Sequence, residues 1–470
     1  MITKLFTALT LVLCFSIGYA QVGIGTATPN ETSLLDMQSN SKGLLIPRMT
    51  TVERDAIVTP ADGLQIYNTT KNTLDVYSAG AWKSFAYSES SNLVYVYDLA
   101  DLPTPVGTAI TLDATKMYVF SGAVNISPNY IVMNGAGLRG TDPQKDMVVS
   151  TVIGAVLRSL DTSVFIENLA VVPAGGSTSA YDFSDTTGTK YCNIFSGSSV
   201  VETPGVPSQG VGQVSGFKAI TFTKTYWNAT DGLKITGTVG KFTAAFCFME
   251  GISNGAGLEF LADLTANDLD LSNNYFIYTG QTGIKVAPGA TVDRARLTTN
   301  MFRGVTTPLI GIDSYSLGWS MRQNTNIPDS RAFSFIYFNN NTDPTNVGTI
   351  GVFYRIAGVT TPVNEKRFTT SNNKITYNGV EPIAGKIYVT ISAKSPSNGS
   401  DYTIGIAKNG YMVPVIYASN AAAVNNQSFQ ITLNTEVDLV TGDFIEVGIR
   451  RNSGTSNSIV ISELQFRVTD

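Results

Sequence analysis

From about residue 112 to 320 the chain alternates apolar and polar residues in short runs, each broken by glycine or a polar turn. Apolar residues two apart mark a strand with one buried face. The runs recur: GLKI begins at Gly232, GLEF at Gly257 and GIKV at Gly283, at spacings of 25 and 26 residues. Late in each unit comes an apolar pair: Tyr226-Trp227, Phe248-Met249, Tyr275-Phe276 and Met301-Phe302. A unit of this size cannot bury its own apolar face, but stacked units can. Short strands without helices therefore predict a right-handed parallel β-helix over residues 96–330, of about eight coils.

From about residue 331 the period stops and longer alternating runs begin. They include KIYVTISA (386–393), TIGIAKNGY (403–411), SFQITLNTEVDLVTGDFIEVGIRR (428–451) and IVISELQFRV (459–468). Turn signals such as SNG and KNG separate them. This pattern predicts an antiparallel sandwich over residues 331–470, so the fold class is all-β.

Composition narrows the function. The net charge is −5 and charged residues are 14% of the chain. With no basic stripe to neutralise phosphates, nucleic acid is not an expected partner. There is no histidine, which removes Ser-His-Asp and Cys-His nucleophiles and histidine-ligated zinc. No metal or other cofactor is expected. Residues 1–20 carry Lys4, an apolar core from Leu5 to Ile17, then Gly18 and Ala20. They read as a secretory signal peptide, too short in its apolar run to span a bilayer comfortably. The mature chain would begin at Gln21 and keep Cys192 and Cys247. In an exported compartment these either pair or stay as two buried thiols.

Candidate chemistry centres on acids. Asp268 and Asp270 stand one residue apart in ANDLDLSNNYF, and paired carboxylates are what glycoside cleavage requires. Alternation turns Leu269 and Leu271 inward and both aspartates outward. Aligning Phe276 with Phe302 in VDRARLTTNMF sets Asp268 beside Arg294 and Asp270 beside Arg296. The expectation is an outward structural ladder rather than a catalytic dyad, since cross-strand opposite charges stabilise modestly. Asp142 and Asp146, and Asp182 and Asp185, read as turn residues, and Asp231 as a coil corner. Trp227 reads as core. Tyr315 and Trp319, in DSYSLGWSMRQ, either cap the solenoid or line a glycan groove.

Three resemblances add to this. Residues 21–95 contain VGIGTATP, LLD, KGLLIPRMT, PADGLQIYNT and Trp82. They resemble a module of exported Bacteroidetes proteins and of fibre-like proteins of their phages, which implies an adaptor or attachment role. The stretch MYVFSGAVNISPNYIVMNGAGLRG resembles the opening coils of pectin-lyase-like β-helices, phage tailspikes included. GKIYVTISA, the Asn409-Gly410 hairpin and VDLVTGDFIEVGIRR resemble the jelly-roll heads of complement and tumour-necrosis-factor-like proteins. That implies a trimeric head that binds proteins or glycans without chemistry of its own. Receptor-binding candidates are Tyr315, Trp319, Asn409, Tyr411 and Asn452, with tip loops at 395–400, 409–412 and 452–457. Positions around Phe444, Glu446, Ile449, Gln465 and Phe466 are candidates for the trimer contact.

The expected protein is a non-catalytic homotrimeric spike that binds a cell-surface glycan or protein. Residues 21–95 would join it to a virion or surface assembly, so it is exported, extracellular or on a virion. The alternative from another class is a polysaccharide depolymerase, lyase or hydrolase, working on the β-helix.

Overall fold

The computed structural model describes residues 21–85, 92–201 and 210–470. The expected signal peptide, residues 1–20, lies outside the described residues. The chain forms two units, one up to residue 90 and one from Ser91 onward.

In the first unit a short parallel pair joins Val22–Ile24 to Leu35–Met37. A four-stranded sheet follows, built from Arg48–Met49, Gln65–Asn68, Thr73–Ser78 and Ala81–Phe85. Its anchor is a buried polar cluster. Asp75, fully buried, accepts from Arg54 Nη1 at 2.5 Å, Asn68 Nδ2 at 2.9 Å and Thr73 Oγ1 at 2.7 Å. Burial opposes its charge, but these donors outweigh burial and hold its carboxyl well below the usual range. A buried charge is tolerated only when paired and fully hydrogen-bonded, as this one is.

The second unit begins with a three-sided solenoid. Sheet I has ten strands, sheet II nine and sheet III eight, all parallel among the described residues. Each coil passes through sheet II, then I, then III, as in Asp231–Thr236, Thr238–Ala245 and Phe248–Glu250. The sequence repeats at Gly232, Gly257 and Gly283 are sheet II strands, and the recurring apolar pairs are sheet III strands. Two boundary details differ from expectation. Leu93–Val96 already pairs with Met117–Phe120, so the solenoid starts ahead of residue 96. The nine strands of sheet II make about nine turns rather than eight, because the first of them starts at Ala109 and some coils are shorter than 25 residues.

Register explains the stacking. Every coil sets like against like in the interior: Trp227, Met249, Phe276 and Phe302 follow one another in sheet III. The Phe276 and Phe302 rings stack at 4.6 Å. At the corner that ends the sheet I strand, a non-glycine residue takes a positive φ in successive coils, among them Lys224, Phe246, Asn273, Thr299 and Gln323. The residue after it points in. Thr225, Cys247, Asn274, Asn300 and Asn324 form a buried ladder: Asn274, Asn300 and Asn324 accept from the amides of Cys247, Asn274 and Asn300, and Thr225 Oγ1 donates to Cys247 Sγ. Asn300, for instance, accepts from Asn274 N at 3.0 Å and donates to Leu271 O at 2.8 Å. Cys247 fills one rung of this ladder, whereas Cys192 lies inside a sheet I strand. Both thiols are buried and unpaired.

The direction of the chain changes between Arg322 and Phe333. Residues from there fold into an antiparallel sandwich with its own core of Ile, Val, Phe and Tyr side chains. Sheet IV orders Thr361–Lys366, Phe333–Phe338, Ser458–Thr469, Ile383–Lys394 and Ser428–Leu439. Sheet V orders Phe368–Ser371, Lys374–Tyr377, Phe444–Ser453, Asp401–Lys408 and Tyr411–Ala421. Asn409 and Gly410, both at positive φ, close the two-residue hairpin between Lys408 and Tyr411, the Asn-Gly turn whose twist matches the strands. Arg367 reaches from the sandwich to the carbonyls of Ser314 and Trp319 in the last coil.

Candidate functional site

Sheet I carries the charged ladder. Asp268 pairs in register with Arg294, and Asp270 with Arg296. Arg296 Nη2 lies 3.4 Å from Asp268 and 3.5 Å from Asp270, and Arg294 Nε lies 3.8 Å from Asp268. Lys241 adds a contact to Asp268 at 4.0 Å from the preceding coil. All five side chains point away from the core, while Leu269 and Leu271 are fully buried. The arrangement is a lattice of ion pairs with both carboxylates engaged.

Sheet II holds a groove of about 540 Å³. Its floor is nearly bare backbone, from Gly154, Gly210, Gly212 and Gly232. A Cβ on Gly212, at φ +120°, would lie 2.0 Å from the Tyr181 carbonyl, so only glycine fits there. Asp182, Gln213, Asp231 and Lys234 stand on the rim, and Lys234 Nζ bonds Asp231 at 2.5 Å. Two sequence readings change here. Asp182 lies within the strand Ser177–Ser184, between Arg158 and Gln213, not in a turn. Asp231 opens a strand and lines the groove. The glycines at 210, 212 and 232, in neighbouring strands of one sheet, were the signal. Such a trough of hydrogen-bonding side chains can hold a polar chain molecule.

The other acids serve turns. Asp146 accepts from the backbone N–H of Gly122, Thr141 and Asp142 at 2.6–3.0 Å. Burial raises its pKa, but these bonds outweigh burial and hold it at about 2. Asp185 clasps Thr187 and Lys190 in the same way. Trp227 is fully buried.

The aromatic and head candidates do not form one site. Trp319 is 4% exposed and packs edge-on to Phe260. It belongs to the last rung of the core, so its ring face is closed to a ligand; the capping alternative describes it. The Tyr315 ring lies under the Lys366 ammonium at 4.4 Å. Asn409 is occupied within the fold, donating to Asp443 Oδ1 at 2.7 Å and accepting from Phe444 N at 2.9 Å. Asn452 donates to Thr403 Oγ1 at 2.6 Å and accepts from Arg450 at 3.1 Å. Tyr411 stays 82% exposed.

The two asparagines also lie at opposite ends of the sandwich. Asp401 pairs with Ser453 at one end of its strand, and Lys408 with Ile445 at the other. The end with Asn409 faces the solenoid: Thr441 there donates to Gly379, which lines a crevice with Arg296 and Trp319. The loop 409–412 is therefore not at the tip. The far end is built from loops 395–400 and 452–457, as expected, and from 339–353 and 422–427, which sequence reasoning missed. It exposes Asn339, Asn340, Asn398, Asn425, Asn426 and Asn457. Arg451, 5% exposed, holds these loops by donating to Gly348 O and Gly454 O, both at 2.8 Å. Its signal was parity: Arg451 continues the inward series Ile445, Val447 and Ile449. Ile449 and Phe466, expected near a trimer contact, are fully buried within the sandwich core.

Comparison with known proteins adds the following. Residues 23–98 match the family model described as a phage tail like trimerisation region. No curated protein matches the chain. Tailspike protein 2 of the Escherichia coli O157:H7 bacteriophage CAB120 is similar over 88% of this chain and 79% of its own, at 10% identity and a TM-score of 0.26. The enzymatically active domain of tailspike protein 4 from bacteriophage CBA120 is similar over 90% of this chain and 77% of its own, at 9% identity and 0.23. Murine APRIL is similar over 29% of this chain and 99% of its own, at 9% identity and 0.22. At these scores the three likenesses carry nothing about chemistry.

Proposed function

We propose that the chain is a homotrimeric, non-catalytic attachment protein of the tail-spike or tail-fibre kind, acting at a virion surface or outside the cell. The observation that carries this reading is the match of residues 23–98 to a trimerisation region that runs into the first strands of a long solenoid. At the other end of the solenoid stands a sandwich whose two-sheet strand order suits a jelly-roll head. Its far end takes a cell-surface glycan or protein. Amide side chains both donate and accept, which suits sugar hydroxyls. Three such ends on one stalk gain avidity without new contacts. The test is binding of the full chain to host cells. Asn398→Ala with Asn457→Ala should weaken it at least tenfold, while Tyr411→Ala at the solenoid end should not. Equal binding by all variants would remove the receptor from the far end.

A second reading rests on the sheet II groove, whose rim carries Asp182 and Asp231. In it the solenoid cleaves a polysaccharide. Incubation with host capsular or cell-wall glycans decides between the two. New reducing ends or unsaturated sugars, lost in Asp182→Asn or Asp231→Asn, favour cleavage; binding without products favours attachment.

A further inference from the structure

The three solenoid sheets share one kind of interior and differ outside. Sheet II shows an outward column of Arg158, Asp182, Gln213, Lys234, Glu259 and Lys285. Sheet I shows the Asp–Arg lattice. Sheet III is different. One of its outward columns reads Tyr226, Phe248, Tyr275 and Met301 in successive coils. Its neighbouring outward column includes Val149, Val172, Val201 and Ile277. Glu250 and Arg303 are the charged residues there, and Tyr226 donates its hydroxyl to Glu250 at 2.7 Å. Phe248 and Met301 are each 40% exposed. Buried interiors explain inward apolar residues; they do not explain these.

We propose that sheet III is the face along which copies of this chain lie side by side in the trimer. The proposal rests on the homotrimer reading and names the surface that reading requires. Three observations select a second copy as the occupant. The trimerisation match extends to residue 98 and so includes the solenoid strand Leu93–Val96; chains gathered there begin their coils together. In a parallel assembly with cyclic symmetry, equal heights meet, so each outward residue faces outward residues of its own coil. Sheet I would then set Asp268 and Asp270 against aspartates, and Arg294 and Arg296 against arginines, which is unfavourable, whereas sheet III sets Tyr275 and Ile277 against the same apolar pair. Finally, the Phe248 and Tyr275 rings stack on each other at 4.5 Å with an interplanar angle of 13°. Their faces are spent along the solenoid axis and their edges point out. A sugar stacks on a ring face, so this stripe is not a glycan platform; aromatic edges suit a packed apolar contact.

The experiment places one new thiol at a time in the full chain, at Tyr275→Cys or Met301→Cys in sheet III and at Thr243→Cys in sheet I. The natural thiols, Cys192 and Cys247, are buried and stay silent. Native mass is read by light scattering, cross-linking by mild oxidation, and access by maleimide labelling. The expected result is a mass of three chains, covalent dimers or at least tenfold slower labelling at both sheet III positions, and fast labelling without dimers at Thr243→Cys. A three-chain mass with fast labelling at both sheet III positions overturns the assignment and leaves the trimer standing. Dimers from Thr243→Cys alone overturn it too. A single-chain mass overturns the homotrimer reading beneath it.

Discussion

Sheet I and sheet III lie in the same coils, and their inward residues do the same work. Leu271 in sheet I and Phe276 in sheet III are both fully buried and repeat as Leu297 and Phe302 one coil later. Outside they diverge. Sheet I presents Asp268, Asp270, Arg294 and Arg296, while sheet III presents Phe248, Tyr275 and Met301. Stacking a solenoid constrains the inside alone. What a face carries outward is left free by that stacking, and the two faces use the freedom differently, charge in one case and aromatic rings in the other.

The comparison breaks most strongly from inside. Phe276→Ala and Leu271→Ala should each cost several kcal/mol, roughly 3–5 and 2–5 kcal/mol, with no preference for either sheet. Midpoints of chemical unfolding, monitored by circular dichroism, check this; a costly change in one sheet and a silent one in the other would end the claim of equivalent interiors.

Next comes the corner between the two sheets. Asn300→Ala strips partners from Asn274 N and Leu271 O and should cost roughly 1–3 kcal/mol. The exposed neighbour Thr299 has no such inward role, so Thr299→Asn at its positive φ should be tolerated or slightly stabilising.

A smaller effect depends on pH. Asp146 opens a sheet III strand from the turn before it, with its carboxyl held at about 2. Its folded pKa is depressed, so its stabilisation is present above the unfolded value near 4 and lost as pH falls towards 2. Acid unfolding profiles should show this loss in the natural chain. Asp146→Asn should be less stable at neutral pH and flatter between pH 4 and 2.

The smallest effect belongs to the ladder. Asp268→Asn with Asp270→Asn should change stability by about 0–1 kcal/mol and leave native mass unchanged. Any glycan-cleaving activity should also survive, because both side chains lie outward among arginines. A turnover loss of several orders of magnitude in a folded variant would make the pair catalytic after all.

Much of the fold was legible in the residues. Alternation with a 25–26-residue period placed Leu269 and Leu271 inside and Asp268 beside Arg294, because strand parity and coil register are local arithmetic. The site was less legible. Asp231 looked like a corner residue, and for Trp319 a cap and a groove wall read alike, since depth in a core depends on which coil is last and what caps it. Loops 409–412 and 452–457 looked alike, because a turn signal does not say at which end of a strand pair it falls.

By itself, then, the sequence determined the all-β class, the periodic middle, the change of pattern near residue 331 and the inward and outward sets within each strand. These follow from side-chain alternation and glycine turns, which act over a few residues. Only the tertiary structure decided that coils have three sides, that bare glycines line up into a groove, that Arg451 gathers the far loops, and that Tyr226, Phe248, Tyr275 and Met301 line up outside one side. Each of these depends on residues distant in the chain meeting in space, as Arg451 meets Gly348, and such meetings are fixed by packing of the whole coil stack or sandwich rather than by local preference.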